Sequence, residues 1–173
     1  QRMHRAALDA LLGPPEPSSV ISFAGGLPAA DMFPMTEVQE ACQRVLTEHG
    51  ARALQYGSTQ GYRPLREMIT RHSARYGITI TPDNVLVTSG SQQALDVIGK
   101  VFINPGDRIL VEAPTHAGAL QAWQSYQAEY VDVPVDAEGL QTDLLEAALR
   151  SGPKFLYVLP NFHNPTGVTL SLA

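Results

Sequence analysis

The chain has 173 residues, 44% of them hydrophobic and 17% charged, with a net charge of −5. That is ordinary for a globular protein with one good core, and the acidic balance argues against nucleic acid as a partner. No apolar run approaches a membrane span, no charged-then-apolar leader is visible, and the lone Cys42 fits a reducing, cytoplasmic setting.

Residues 1–35 read as irregular, with a short helix at Met3–Leu12 and a loop at Gly13-Pro14-Pro15-Glu16-Pro17-Ser18-Ser19. Ile21-Ser22-Phe23 leads into the turn Gly25-Gly26-Leu27-Pro28. Thr36 is expected to cap a helix with Gln39 as its reciprocal partner, and Gly50 to end it. Cys42 falls in that helical pattern and is expected to be a small, buried or half-buried residue. Pro64 suits the first turn of a second helix, which runs to about Tyr76.

From residue 84 the pattern changes. Strands are expected at Val85–Thr88, Arg108–Glu112, Glu129–Val133 and Lys154–Leu159. Helices are expected at Ser91–Phe102, Ala117–Gln127 and Thr142–Arg150. Such alternation predicts an α/β fold, a mostly parallel sheet with helices on both faces in three layers. Crossovers should be right-handed.

Three polar loops follow strands in this pattern. Thr88-Ser89-Gly90-Ser91-Gln92-Gln93 joins a strand to a helix. Gly90 permits a sharp turn and close approach to a ligand, and the N–H groups of Ser91 and Gln92 then point outward as an anion site. Taken alone, a plain Ser-capped helix start explains that segment equally well. Glu112-Ala113-Pro114-Thr115-His116-Ala117-Gly118 puts His116 after the second strand; alone it reads as a solvent-facing loop histidine, though its flat ring could stack on a planar ligand. Asn164, in Pro160-Asn161-Phe162-His163-Asn164-Pro165-Thr166-Gly167, follows the fourth strand. A parallel sheet brings these strand ends to one edge, where open α/β folds bind ligands. The set suits a phosphorylated aromatic cofactor. His116 and His163 have no ligand-spaced partners, so no metal site is expected.

These residues match a known pattern. Ile21-Ser22-Phe23-Ala24-Gly25-Gly26-Leu27-Pro28, Leu54-Gln55-Tyr56, Gly61-Tyr62-Arg63-Pro64-Leu65-Arg66, Ser89-Gly90-Ser91-Gln92-Gln93-Ala94-Leu95 and Asn164-Pro165-Thr166-Gly167 occur in family order at family spacing. The chain resembles the N-terminal portion of a fold-type I pyridoxal-phosphate aminotransferase of class I/II. It is most like the kynurenine/2-aminoadipate aminotransferases and the aminotransferase-like half of certain winged-helix regulators. The resemblance implies an N-terminal arm and part of a small domain over residues 1–50, and the first part of the cofactor-binding large domain over residues 51–173.

The resemblance also implies roles. The backbone N–H groups of Ser91 and Gln92 would bind the phosphate of pyridoxal 5'-phosphate, His116 would stack on its ring, and Asn164 would hydrogen-bond its 3-oxygen. Tyr56 would reach the phosphate of the neighbouring subunit in a homodimer. Gly26 and Asn164 would approach the substrate. Close relatives carry tyrosine at the position of His116. The implied reaction is ping-pong transfer of an amino group between an α-amino acid and a 2-oxo acid, with glutamate and 2-oxoglutarate as one pair. The alternative is the cofactor-sensing effector domain of a transcription regulator.

The chain has only two lysines, Lys100 and Lys154. Lys100 sits roughly 14 Å along its helix from the phosphate end by helical rise. Lys154 starts a strand whose far end carries the site, roughly 20 Å away by strand rise. Neither is placed to be the family's Schiff-base lysine, which is expected beyond Ala173. A chain that begins at Gln1 and lacks this residue is expected to be a partial piece, inactive alone, and poorly stable or oligomeric because its sheet is truncated.

Overall fold

A computed structural model describes residues 28–172. They fall into two compact units, one ending at Tyr56 and one beginning at Gly57. The expected helix at Met3–Leu12 and the Gly25-Gly26 turn lie outside the described residues.

The first unit is dominated by α1, Met35–Ala53. Three expectations fail here. Pro34 occupies the N-cap position without a side-chain cap bond, so Thr36 lies inside the first turn. Gly50 does not end the helix. Its carbonyl accepts the Leu54 N–H at 3.1 Å, and the helix continues to Ala53 because a glycine costs a helix only about 1 kcal/mol. Cys42 is exposed rather than buried, on a helix that buries none of its residues.

The second unit carries α2 (Arg63–Ala74), α3 (Ser91–Phe102), β1 (Arg108–Ala113), α4 (Ala117–Gln124), β2 (Glu129–Asp136), β3 (Gly139–Leu140), α5 (Thr142–Leu149) and β4 (Phe155–Tyr157). The strand order is β3-β2-β1-β4. β1 pairs in parallel with β2 on one side and with β4 on the other. β2 and β3 form an antiparallel hairpin that the sequence pattern did not announce.

Alternation along β1 builds the layers. Ile109 and Val111 point to one face, where they meet Leu95 and Ile103 from the α3 side and Ala119 and Trp123 of α4. Leu110 points to the other, against Val133, Leu140 and the Leu145 and Ala148 side chains of α5. The three-layer α/β reading therefore holds. Ile109, Leu110 and Val111 are all essentially inaccessible, and each such burial stabilises the fold by about 1.5–3 kcal/mol. Trp123 anchors the first face. Its indole N–H donates to the Leu95 carbonyl at 2.8 Å, and its ring meets Phe155 and Tyr157 edge-on at 5.4 and 5.2 Å.

Val85–Thr88 is not a strand. A strand requires a neighbour to exchange ladder bonds, and the backbone bond found here runs from the Val87 N–H to the Gln60 carbonyl at 3.0 Å. Gly61, at φ +102°, lets that loop lie flush on Val87: an added Cβ would stand 2.6 Å from the valine Cβ.

Candidate functional site

The C-terminal ends of β1 and β4 share one edge because the strands are parallel neighbours. The loop after β1 carries His116, the N-cap of α4. The loop after β4 carries Asn164. The Asn164 Nδ2 lies 3.4 Å from the His116 Nδ1. The side-chain amide of Gln92, in the first turn of α3, donates to the Gly118 carbonyl at 3.0 Å. Three residues from three segments thus meet in one place. Gly118 is what allows it: a Cβ there would collide with the His116 Nε2 and stand 2.9 Å from the Gln92 Oε1.

The start of α3 is open. Gly90 is its N-cap at φ +87°, and an added Cβ at that position would meet nothing within 4 Å. The Thr88 hydroxyl donates to the Gly90 carbonyl at 3.1 Å, and the Ser89 N–H donates to the Gln93 side chain. The first N–H groups of α3, those of Ser91 and Gln92, find no acceptor among the described residues. Such N–H groups at the positive end of a helix favour an anion. Beside His116, the Thr115 hydroxyl is buried and without a hydrogen-bond partner.

Beneath the Asn164 loop lies a pair that sequence reasoning did not find. Glu112, at the end of β1, and His163 are each 3% exposed. The Glu112 Oε2 stands 3.2 Å from the His163 Nε2 and accepts the Leu159 N–H at 2.8 Å. No local spacing links residues 112 and 163; only the pairing of β1 with β4 does. Nearby, burial and then the Glu112 carboxylate hold the Tyr157 hydroxyl above its ordinary range.

Tyr56 belongs to the first unit, and its side chain is 99% exposed. Gly26 lies outside the described residues. Lys154 pairs with Asp107 at 3.4 Å, at the start of β1 and so at the opposite end of the sheet from His116; Lys100 is exposed on α3.

Comparison with known proteins shows the family. The sequence profile of the family "Aminotransferase class I and II" matches residues 18–173. The chain belongs to that family. It is 50% identical over 163 residues to aromatic-amino-acid aminotransferase 1 of Thermococcus litoralis, covering 90% of this chain and 39% of that protein. The crystal structure of the α-aminoadipate aminotransferase LysN of Thermus thermophilus, complexed with N-(5'-phosphopyridoxyl)-L-leucine, superposes with a TM-score of 0.83 at 44% identity. That match covers 95% of this chain and 40% of LysN. The chain is also 34% identical over 155 residues to the HTH-type transcriptional regulator YdcR of Escherichia coli, covering 88% of this chain and 33% of that protein. It therefore spans about two fifths of the length of the aminotransferases it matches.

The cofactor of the family is pyridoxal 5'-phosphate, and the residues present fit it. Unpaired N–H groups at an open helix start suit a phosphate. An aromatic ring at a strand end suits stacking, and an exposed amide beside that ring suits an oxygen substituent.

Proposed function

We propose that this chain forms one wall of the pyridoxal-phosphate pocket of an aminotransferase that moves an amino group between an α-amino acid and a 2-oxo acid. Glutamate and 2-oxoglutarate form one pair. The observation that carries the reading is the convergence of Gln92, His116 and Asn164 at one sheet edge, beside an open helix start. The backbone N–H groups of Ser91 and Gln92 hold the phosphate, His116 stacks on the ring, and Asn164 donates to the 3-oxygen and faces the substrate. Tyr56 serves the phosphate site of a second subunit in a homodimer, and the backbone at Gly26 lies along the substrate. Residues 1–50 belong to an arm and small domain, and residues 51–173 to the large domain. The bound cofactor supplies the electron sink for chemistry at the substrate α-carbon. This chain's residues bind it, fix its plane and keep its 3-oxygen hydrogen-bonded. The cofactor-linked lysine is supplied from outside these 173 residues, so the chain alone is inactive. Its setting is cytoplasmic; among the described residues no helix is long and apolar enough to cross a membrane.

The similarity to YdcR favours a second reading, the effector domain of a transcription regulator. One experiment separates the two. The full-length protein is mixed with pyridoxal phosphate and its visible absorbance followed across a panel of amino acids. An aminotransferase shows a band that shifts with glutamate and yields a 2-oxo acid. A band that forms without oxo-acid release identifies the sensor, and no band at all refutes both.

A further inference from the structure

The loop that presents Asn164 is wound around a buried imidazole. His163 Nδ1 lies 2.8 Å from the Thr166 hydroxyl and 3.4 Å from the Thr166 N–H that points at it. The Thr166 Oγ1 in turn accepts the Val168 N–H at 3.4 Å. The His163 N–H donates to the Val168 carbonyl at 2.7 Å. On the other side, a single oxygen of Glu112 faces both the His163 Nε2 and the Leu159 N–H. An Nδ1 that accepts from Thr166 assigns the ring proton to Nε2, which faces the carboxylate. The imidazole Nδ1 is thereby engaged, while the buried Nε2 faces the Glu112 carboxylate and has no other polar partner; Leu159 is fixed before Asn164, and Thr166 and Val168 are fixed after it.

Burying a carboxylate against an imidazole is a poor way to gain stability, since well-packed apolar side chains do as well. What it adds is direction. Phe162, next to the imidazole, is held at φ +50°, a left-handed conformation that a bulky residue rarely adopts. The loop therefore takes a shape that its own backbone does not favour, while its one buried side chain is clamped to the sheet.

We propose that Glu112 and His163 are positioning residues: the pair clamps the 159–168 loop to the end of β1 and so sets where the Asn164 amide stands relative to His116. Neither group touches the cofactor; both act through Asn164. The inference rests on the proposed cofactor role of Asn164, but the clamp itself can be tested without cofactor.

The test compares His163→Ala, Glu112→Ala and Glu112→Gln in the full-length protein. Amide hydrogen exchange over residues 161–167, in the absence of pyridoxal phosphate, is expected to quicken in both alanine variants relative to the rest of the second unit. Pyridoxal phosphate affinity is expected to fall on the order of tenfold in both, as when a supporting partner of a bound group is removed. The pH midpoint of the bound cofactor's visible band is expected to move in the direction given by Asn164→Ala. The double variant His163→Ala/Asn164→Ala is expected to bind no more weakly than Asn164→Ala, because both changes remove one contact. Glu112→Gln keeps an oxygen that both donors can share, so it is expected to recover most of the affinity lost in Glu112→Ala. Additive losses, an unmoved midpoint, no recovery in Glu112→Gln, or loop exchange that quickens only with global unfolding would each overturn the proposal. A wild-type protein that binds no pyridoxal phosphate would instead sink the functional reading, and the exchange arm would still decide the clamp.

Discussion

Asn164 and His116, 48 residues apart, stand with the amide nitrogen of one 3.4 Å from the ring nitrogen of the other. Their meeting is a product of parallel pairing between β1 and β4, which aligns the two strand ends. In the proposed function, this amide and ring form a platform for a planar, oxygen-bearing ligand. In the full-length protein, His116→Ala should weaken pyridoxal phosphate binding by about 1 kcal/mol, roughly fivefold, which is the worth of one aromatic contact. His116→Tyr keeps a stacking ring and should bind nearly as well as wild type. Fluorescence titration of the cofactor checks both.

Gly118 should prove as sensitive as any side chain of the site. Gly118→Ala drives a methyl group into the His116 ring and toward the Gln92 amide. The expected result is a cofactor affinity at least as poor as that of His116→Ala. The melting temperature should change little, because the crowded atoms are the far ends of the His116 and Gln92 side chains, neither of which is buried. Equal affinity in Gly118→Ala and wild type would mean that His116 does not hold this orientation when ligand is bound.

The aromatic core should dominate stability. Trp123→Ala removes a fully buried ring and its hydrogen bond to Leu95, and should cost about 3–5 kcal/mol. Gly99→Ala should cost about 1–3 kcal/mol by the opposite route. Its methyl would stand 2.7 Å from the Trp123 ring and 2.8 Å from that of Tyr126. Urea unfolding of both variants is the measurement, and a neutral Gly99→Ala would show that α3 can draw away from α4.

Alkaline pH should destabilise the second unit. Burial raises the Tyr130 hydroxyl, and burial followed by the Glu112 charge raises Tyr157, both from an ordinary value of 10.0. A group whose folded value is raised contributes stability that is fully present below the unfolded value and lost as pH rises through the folded one. Stability should therefore be level below pH 10 on this account and fall above it. Tyrosinate absorbance should show Tyr130 and Tyr157 ionising later than an exposed tyrosine, together with Tyr126, which its hydrogen bond to Asp96 also raises. If all six tyrosines ionise together near 10 in the folded protein, the burial of Tyr130 and Tyr157 is refuted.

Neither lysine of this chain should matter to the visible cofactor band. Lys154 is committed to Asp107 at the far end of the sheet, and Lys100 is exposed on α3. Lys100→Ala and Lys154→Ala in the full-length protein should both retain the band. Its loss in either variant would return that lysine to the pocket.

Much of the second unit was legible residue by residue. Ser91–Phe102 forms a helix with the bounds its pattern implies, since Gly90 before it and the apolar spacing within it are local signals. β1 centres on the apolar run Ile109-Leu110-Val111, as suits a strand buried on both faces. Val85–Thr88 has the same apolar look but no neighbouring strand among the described residues, and a strand is a relation between two segments. The β2–β3 hairpin was missed because β3 is only two residues long. Gly50 failed as a helix stop because its cost is small beside that of breaking a helix early.

By itself the sequence determined the class of fold and the polar loops that follow its strands, because periodicity and turn chemistry act within a few residues. It also singled out Gln92, His116 and Asn164 as candidates. Only the tertiary structure decided that the Asn164 amide meets the His116 ring while the Gln92 side chain reaches the Gly118 carbonyl, and that Gly118 makes room for both. It alone revealed that Glu112 and His163 are buried against each other beneath Asn164. Neither residue carries any local mark of that role. The contact exists because β1 and β4 are neighbours, and the choice of neighbour is made by the packing of the whole sheet.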